Sequence, residues 1–404
     1  MQPSATVILK SGRDRSVRQR HPRLFASAIK TIDGRPRDGD VVDVADNKGE
    51  WLARGIINQQ AQIAIRLLTW EPDEAIDEAF WHRRVQAAVE RRRRDPALQH
   101  TDAVRWVFGE SDGLPGVIAD GYAGYLVIEI STLLAWRSLP TLVDALAGCV
   151  APKQILQRAD DERLKHEFGG TLPRAVCDAL ACRQPVEPVE IYERGLRFLV
   201  NLTGGQKTGF YLDQRENRAR VAAYCQGAAV LNAFSYTGGF GLHALAGGAV
   251  RVVNVDSSAD ALALAERNLL LNGGVRPGQR HECIEADVFA LLRDLRAGDD
   301  HFDVVILDPP KFAHHLGQVD RAARAYKDLN RVGMGAVRPG GILATFSCSG
   351  VVDAALFQKI VFSAALEARR EARVIERLTQ ASDHPVLLSF PEAEYLKGLI
   401  CRVE

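Results

Sequence analysis

No C-x-x-C pair occurs among the seven cysteines of this 404-residue chain. Cys177 and Cys182 stand near each other without matching histidines. That pattern argues against a structural zinc site, and an odd, scattered set argues against a disulfide framework. No metal site is expected. Also missing is any run of about 18 apolar residues, so no membrane span is expected. The N-terminal stretch lacks the apolar core of a signal peptide, which points to the cytoplasm. There is no internal repeat and no low-complexity segment. Net charge is absent too. Lys+Arg and Asp+Glu are both 51, so the overall balance names no partner.

The chain is too long for one ordinary core, so two or three domains are expected. Its apolar fraction of 47% and charged fraction of 25% are those of a soluble globular protein. The distribution of charge says more than the sum. Residues 1–30 hold Lys10, Arg13, Arg15, Arg18, Arg20, Arg23 and Lys30 against one acid, Asp14. Such a patch can bind phosphates, or it can be solvated surface.

Residues 1–72 read as a small all-β barrel. "ATVIL", "DVVDVAD", "WLARGIIN" and "QIAIRLL" are separated by Asp33-Gly34, Asp38-Gly39 and Lys48-Gly49. A helix follows in "EAIDEAFWHRRVQAAVERRRR", and its Arg91–Arg94 end reads as a solvated helix terminus. Three strands over 104–130 and a helix in "LPTLVDALAGCV" make a central α+β domain over 73–170. Pro185 and Pro188 mark a linker into a hairpin at about 188–211. From about 215 short apolar strands alternate with helical runs, so 171–404 reads as a doubly wound, Rossmann-like α/β sheet.

Two ends of that sheet carry chemistry. In "VLNAFSYTGGFGLHA" a buried strand enters a turn with Gly238, Gly239 and Gly241, and the next strand ends in Asp256. Glycines admit close backbone approach, and an acid at the second strand end can accept both ribose hydroxyls. "GFGLHA" fits G-x-G-x-x-A, so a dinucleotide enzyme is an alternative. Asp287 closes the third strand, where an acid can accept from an adenine amine. The pair favours S-adenosylmethionine, which has adenosine but no pyrophosphate. Either acid alone could simply cap a helix.

The fourth strand ends in Asp308-Pro309-Pro310-Lys311-Phe312, and the fifth in "TFSCSG" with Cys348. The prolines stop the strand and hold the Asp308 carboxylate at the ligand-binding edge. A thiolate adding at C6 of cytosine makes C5 nucleophilic toward a methyl-sulfonium, so Cys348 reads as a nucleophile and Asp308 as an acid facing the base. Most free cysteines are core fillers, and the other six read that way.

"GQKTGFYLDQRENR", "NAFSYTGGFGLHA", "VDSSADAL", "LDPPKF", "FSCSG" and "DHPVLLSFPEAEYLKGL" together resemble the bacterial 23S rRNA cytosine-C5 methyltransferases that carry an N-terminal PUA domain. The resemblance covers essentially the whole chain. It implies an RNA-binding barrel, a central domain and a class I methyltransferase domain. It implies Cys348 as nucleophile and Asp308 facing the base. Asn232, Phe234, Tyr236, Gly238, Gly239, Asp256, Ser257 and Asp287, with Asp308 and Arg215, would surround S-adenosylmethionine. Asp213 would help Arg215 close the site. Asn232 stands where many class I enzymes have an acid, so its contact would lack charge attraction. "HPRLF" resembles the barrel's RNA face, so Lys10, Arg13, Arg15, Arg18 and Arg23, with Lys311 and Phe312 at the active lip, are the expected RNA contacts. Phe210, Tyr211, Phe234, Tyr236 and Phe312 could stack on a flipped base. The expected partner is 23S rRNA or an assembling large ribosomal subunit, with monomer or homodimer left open. Alternatives are an exocyclic-amine N-methyltransferase on RNA, against which Lys311 counts because it replaces an aromatic, and a non-catalytic RNA-binding assembly factor.

Overall fold

The computed structural model describes residues 3–159, 161–171, 187–205, 207–297 and 301–404. Cys177, Cys182 and Pro185 lie outside the described residues. The chain divides into two compact units: Met1–Val189 with Val200–Phe210 and Asp383–Ala393, and Glu190–Leu199 with Tyr211–Ser382 and Glu394–Glu404.

The first unit opens with a six-stranded sheet in the order β2-β6-β5-β4-β1-β3. Its strands are β1 (Ala5–Leu9), β2 (Arg23–Phe25), β3 (Ile29–Gly34), β4 (Val41–Ala45), β5 (Trp51–Ile57) and β6 (Ile63–Thr69). Period-2 alternation in β1 puts Ala5, Val7 and Leu9 inside and Thr6 and Ile8 outward. The sequence reading missed β2 and β3. β3 buries none of its residues, has apolar anchors only at Ile29 and Ile32, and ends in the Asp33-Gly34 pair that reads as a turn.

Helices α1 (Glu78–Arg93) and α2 (Leu133–Val150) flank a second sheet, order β10-β9-β8-β7: β7 (Ala103–Phe108), β8 (Val117–Tyr122), β9 (Tyr125–Ile130) and β10 (Gln154–Ala159). Val41, Ile56 and Leu68 of the first sheet share a core with Phe80, Val85 and Leu142. By length and composition α2 could cross a membrane, with mean hydropathy 1.3. Here it lays Leu134, Leu139, Leu142 and Leu146 into that core and carries Arg137 and Asp144. It starts six residues earlier than "LPTLVDALAGCV" suggests, because Thr132 caps it by accepting from the Ala135 N–H at 3.0 Å. The basic end of α1 is not simply solvated. Arg92 is buried and donates to Asp112 at 2.7 Å, with a carbonyl of Arg105 at 3.0 Å.

The second unit contains the hairpin β11 (Val189–Glu193) and β12 (Leu196–Val200), turned by Arg194 and Gly195 at φ 48° and 89°. Its seven-stranded sheet has the order β15-β14-β13-β16-β17-β19-β18. The strands are β13 (Ala229–Ala233), β14 (Arg251–Asp256), β15 (Arg280–Glu285), β16 (Phe302–Leu307), β17 (Val337–Ser347), β18 (Ala372–Thr379) and β19 (Lys397–Val403). All pairings from β15 to β17 are parallel, whereas β19 runs antiparallel to both β17 and β18. β13 is buried along its whole length, as a central parallel strand with covered faces must be. The strand order reverses beside β13, so the loops leaving β13, β14, β16 and β17 open on one crevice.

Candidate active site

The turn after β13 is held in an uncommon backbone. Phe234 and Tyr236 have φ of 59° and 47°, and Gly238 has φ of 77°. A Cβ on Gly238 would sit 2.9 Å from the Ala265 Cβ, and one on Gly241 would sit 2.3 Å from Asn254 Oδ1. The glycines are therefore required by space. Asp256, the last residue of β14, ties the turn down. Its Oδ2 accepts from the Tyr236 N–H at 2.8 Å, and its Oδ1 from the Ser258 N–H at 3.0 Å. Ser257 between them is exposed.

Three buried oxygens around this turn lack a hydrogen-bond partner among the described residues: Asn232 Oδ1, Ser235 Oγ and Thr237 Oγ1. Asn232 is oriented by a relay, its Nδ2 donating to Asn254 Oδ1 at 2.8 Å while Asn254 Nδ2 donates to His281 Nε2 at 2.8 Å. Asp287 is exposed and accepts from the Ala290 N–H at 2.8 Å, capping the helix Val288–Ala297. That bond uses one carboxylate oxygen and leaves the other for a ligand.

At the reactive lip Leu307 lies opposite Thr345, so Asp308 and Cys348 leave neighbouring parallel strands within two residues of the same level. Both are half-buried. The serines beside Cys348 are fully buried and hold its turn. Ser349 Oγ accepts from the Ala313 N–H at 3.2 Å and meets the Tyr326 hydroxyl at 3.0 Å, while Ser347 Oγ accepts from the Ser349 N–H at 3.4 Å. Tyr211 joins the two ends of the site. Burial, then the charges of Asp308, Asp213, Cys348 and Tyr236, push its phenol well above the ordinary value. Its ring meets Tyr236 edge-on at 5.5 Å. A protonated hydroxyl thus sits among thiol, carboxylates and the β13 turn.

Other expectations change. Phe210 is buried and fills core, so it cannot stack on a base. Phe312 packs on Tyr326 at 4.6 Å and Phe289 at 6.3 Å, and Phe234 on Phe289 at 6.2 Å, so these rings already have faces occupied. Arg215 is fully buried, 4.0 Å from Glu193. In the first unit, Arg18 donates to Asp14, Asp46 and Glu50 at 2.7–2.9 Å, Arg23 donates to Glu110, and Lys10 to the Ser27 carbonyl at 2.9 Å. Within the basic patch Arg18 and Arg23 are thus paired with acids, most of them distant in sequence. Arg13 and Arg15 remain exposed and make no ion pair among the described residues. Lys311 is half-buried at the lip.

A profile of S-adenosylmethionine-dependent methyltransferases matches residues 136–402, and one of PUA-like domains matches residues 7–70. Ribosomal RNA large subunit methyltransferase I of Alteromonas mediterranea is 44% identical over 400 residues, 99% of each chain. The protein of the same name from Photobacterium profundum is 45% identical over 407 residues, 99% of this chain and 100% of that one. The chain belongs to the S-adenosylmethionine-dependent methyltransferases. Among solved structures, SMU.776, described as a methyltransferase complexed with SAH, superimposes with a TM-score of 0.82 over 98% of this chain and 99% of that one at 20% identity, which speaks for the fold.

The residues of this methyltransferase fit its cofactor. A close-approach glycine turn, a strand-end acid and three buried unpartnered oxygens are what a zwitterionic amino acid joined to a ribose needs. Sequence reasoning missed Lys397, Tyr395 and Tyr326 of the methyltransferase's lip. Tyr395 donates to Asp213 Oδ2 at 2.5 Å, and Lys397 Nζ to the Ser349 carbonyl at 2.8 Å. Tyr395 and Lys397 lie within the "DHPVLLSFPEAEYLKGL" segment, which marked the stretch without assigning either residue, and nothing in the sequence marked Tyr326.

Proposed function

We propose that this methyltransferase modifies C5 of a cytosine in 23S rRNA through a covalent adduct with Cys348. The observation that carries the reading is the strand register, Leu307 opposite Thr345, which brings Asp308 and Cys348 out of neighbouring parallel strands within two residues of one level, with Tyr211 edge-on to Tyr236 of the glycine turn. The names of the relatives point to the large-subunit RNA, and the PUA-like sheet is suited to hold it.

Bound S-adenosylmethionine supplies an electrophilic methyl group. Asn232 Oδ1 would accept from its ammonium, Asp256 from its ribose hydroxyls and Asp287 from its adenine amine. Cys348 adds as a thiolate at C6, forming the S–C6 bond and raising electron density at C5. Asp308 in its acid form donates to N3 and stabilises the negative charge that develops on the ring, and the neutral Tyr211 hydroxyl donates a hydrogen bond into the same space. Once C5 carries the methyl group and S-adenosylhomocysteine is left behind, a water or Asp308 takes the remaining C5 proton, the S–C6 bond breaks and the thiolate is restored. A base flipped out of its stack is required, since neither C5 nor C6 is reachable inside a helix.

The test uses unmodified 23S rRNA tritiated at cytosine C5. Cys348→Ala is expected to abolish both methyl transfer and tritium release while S-adenosylhomocysteine still binds. Methylation that persists in Cys348→Ala, with label retained, would overturn the covalent reading and favour transfer to an exocyclic amine.

A further inference from the structure

Lys397 is the first residue of β19 and lies opposite Ser347 in the antiparallel ladder. Its side chain is 5% exposed, and Nζ donates to the carbonyl of Ser349 at 2.8 Å. Cys348 is the residue between those two anchors. The backbone of Lys397 is therefore held at one side of the nucleophile and its ammonium at the other. Burying a lysine is costly, and one carbonyl compensates little of that cost. An anion is the partner such a site demands.

The charged groups around the pair narrow the choice. On Lys397 the largest charge effect comes from Cys348, followed by Glu394 and Asp353, with Lys311 opposing. Tyr211 and Tyr326 face Cys348, and burial first keeps both phenols protonated, so neither brings a positive charge. Asp308 and Asp213 stand beside Tyr211, so the acidic groups near the pair supply no positive charge either. Without a cation this pocket would hold Cys348 as an unreactive thiol.

We propose that Lys397 is the counter-ion of the nucleophile and keeps Cys348 as a thiolate. The Cys348 proton leaves to solvent, and the Lys397 ammonium, already protonated, balances the thiolate that remains. This assigns Lys397 a positioning role in the reaction above and rests on that covalent reading. Burial pushes the Lys397 ammonium down to about 8, which still leaves it mainly protonated at neutral pH.

The test reads Cys348 directly, in the full-length protein without RNA or cofactor. The rate of iodoacetamide labelling at Cys348 is followed against pH by mass spectrometry of its peptide. A midpoint below the ordinary thiol value of about 8.5 is expected. Lys397→Gln keeps a donor for the Ser349 carbonyl but no charge. It is expected to raise the midpoint and slow labelling at pH 7 about tenfold, the effect of one unit. Lys397→Arg is expected to keep the midpoint low. An unmoved midpoint in Lys397→Gln overturns the proposal, as does a shift produced by Lys311→Gln instead. Should Lys397→Gln fail to fold, a wild-type midpoint at or above about 8.5 overturns it alone. A lysine-dependent midpoint in a protein that methylates no rRNA would sink only the cytosine reading. Cys348-dependent methylation with a lysine-independent midpoint would sink only the lysine assignment.

Discussion

Asn232 is a residue whose hydrogen bonding the protein leaves incomplete. Its Nδ2 is used by Asn254, and its buried Oδ1 has no partner among the described residues. An acceptor kept waiting in this way costs stability until a ligand donor meets it. Asn232→Ala is expected to weaken S-adenosylhomocysteine binding about tenfold by calorimetry, from the loss of one buried hydrogen bond. Unchanged affinity would remove Asn232 from the cofactor's contacts. Gly238 makes a sharper case. Alanine there meets both a φ of 77° and a neighbouring carbon at 2.9 Å. Gly238→Ala should cost about 1–3 kcal/mol of stability, seen as a lower melting temperature. The placement of Cys348 and Asp308 at neighbouring strand ends was legible because short motifs mark where those strands stop. Lys397 was not, since nothing local announces that residue 397 returns beside residue 348. The acid partners of Arg18 were hidden for the same reason. Asp14 was visible nearby, but Asp46 and Glu50 arrive only through folding.

Among the elements, the hairpin β11–β12 is fastened by charge. Glu193 is fully buried and accepts from Arg218 at 2.6 and 2.7 Å, and from His243 Nε2 at 3.0 Å. Burial pushes the Glu193 carboxyl up, but the charge of Arg218 and the hydrogen bonds from His243 and Arg218 outweigh it and hold the group well below the usual carboxylate range. Burial keeps His243 neutral, so its Nε2–H is the donor. Arg218 in turn underlies the cofactor turn, where a Cβ on Gly239 would lie 3.1 Å from its Cδ. Glu193→Gln should cost about 3–5 kcal/mol at pH 7, because a buried guanidinium loses its counter-charge. The sign with pH follows from the lowered value. Glu193's contribution is full above its unfolded value of about 4.3 and is lost as pH falls below it. The melting-temperature gap between wild type and Glu193→Gln should therefore narrow in acid. A constant gap would deny the ion pair its role. Elements with strict alternation or buried apolar runs, such as β1 and β13, could be read from sequence. Those that could not were the mostly exposed β3, whose only pattern is Ile29 and Ile32, and the first turns of α2, masked by Pro140.

For the whole molecule, a net charge of zero leaves RNA affinity to local features. Arg13 and Arg15 are exposed arginines of the first 30 residues that make no ion pair among the described residues. Changing both to serine should flatten the slope of log K against log salt by about 0.9 for each phosphate that is no longer neutralised. Filter binding over a salt series measures it, and an unaltered slope would mean the patch meets no phosphate. The broad plan, a β-rich start and a parallel sheet later, was visible in the alternation of strands and helices. The return of the antiparallel strand into the sheet was not, because its neighbours in space lie far apart along the chain.

That return matters during synthesis. β19 inserts between β17 and β18, so β17 lacks one of its two neighbours and β18 its sole one until residues 397–403 have been made. A nascent chain still inside a ribosome's exit tunnel holds an inner strand with one open edge, an outer strand with no partner and a thiol lacking its wall. Maturation of the enzyme must then wait for translation to pass this segment. A stop codon upstream of it would leave a sticky, inert fragment for the cell's proteases.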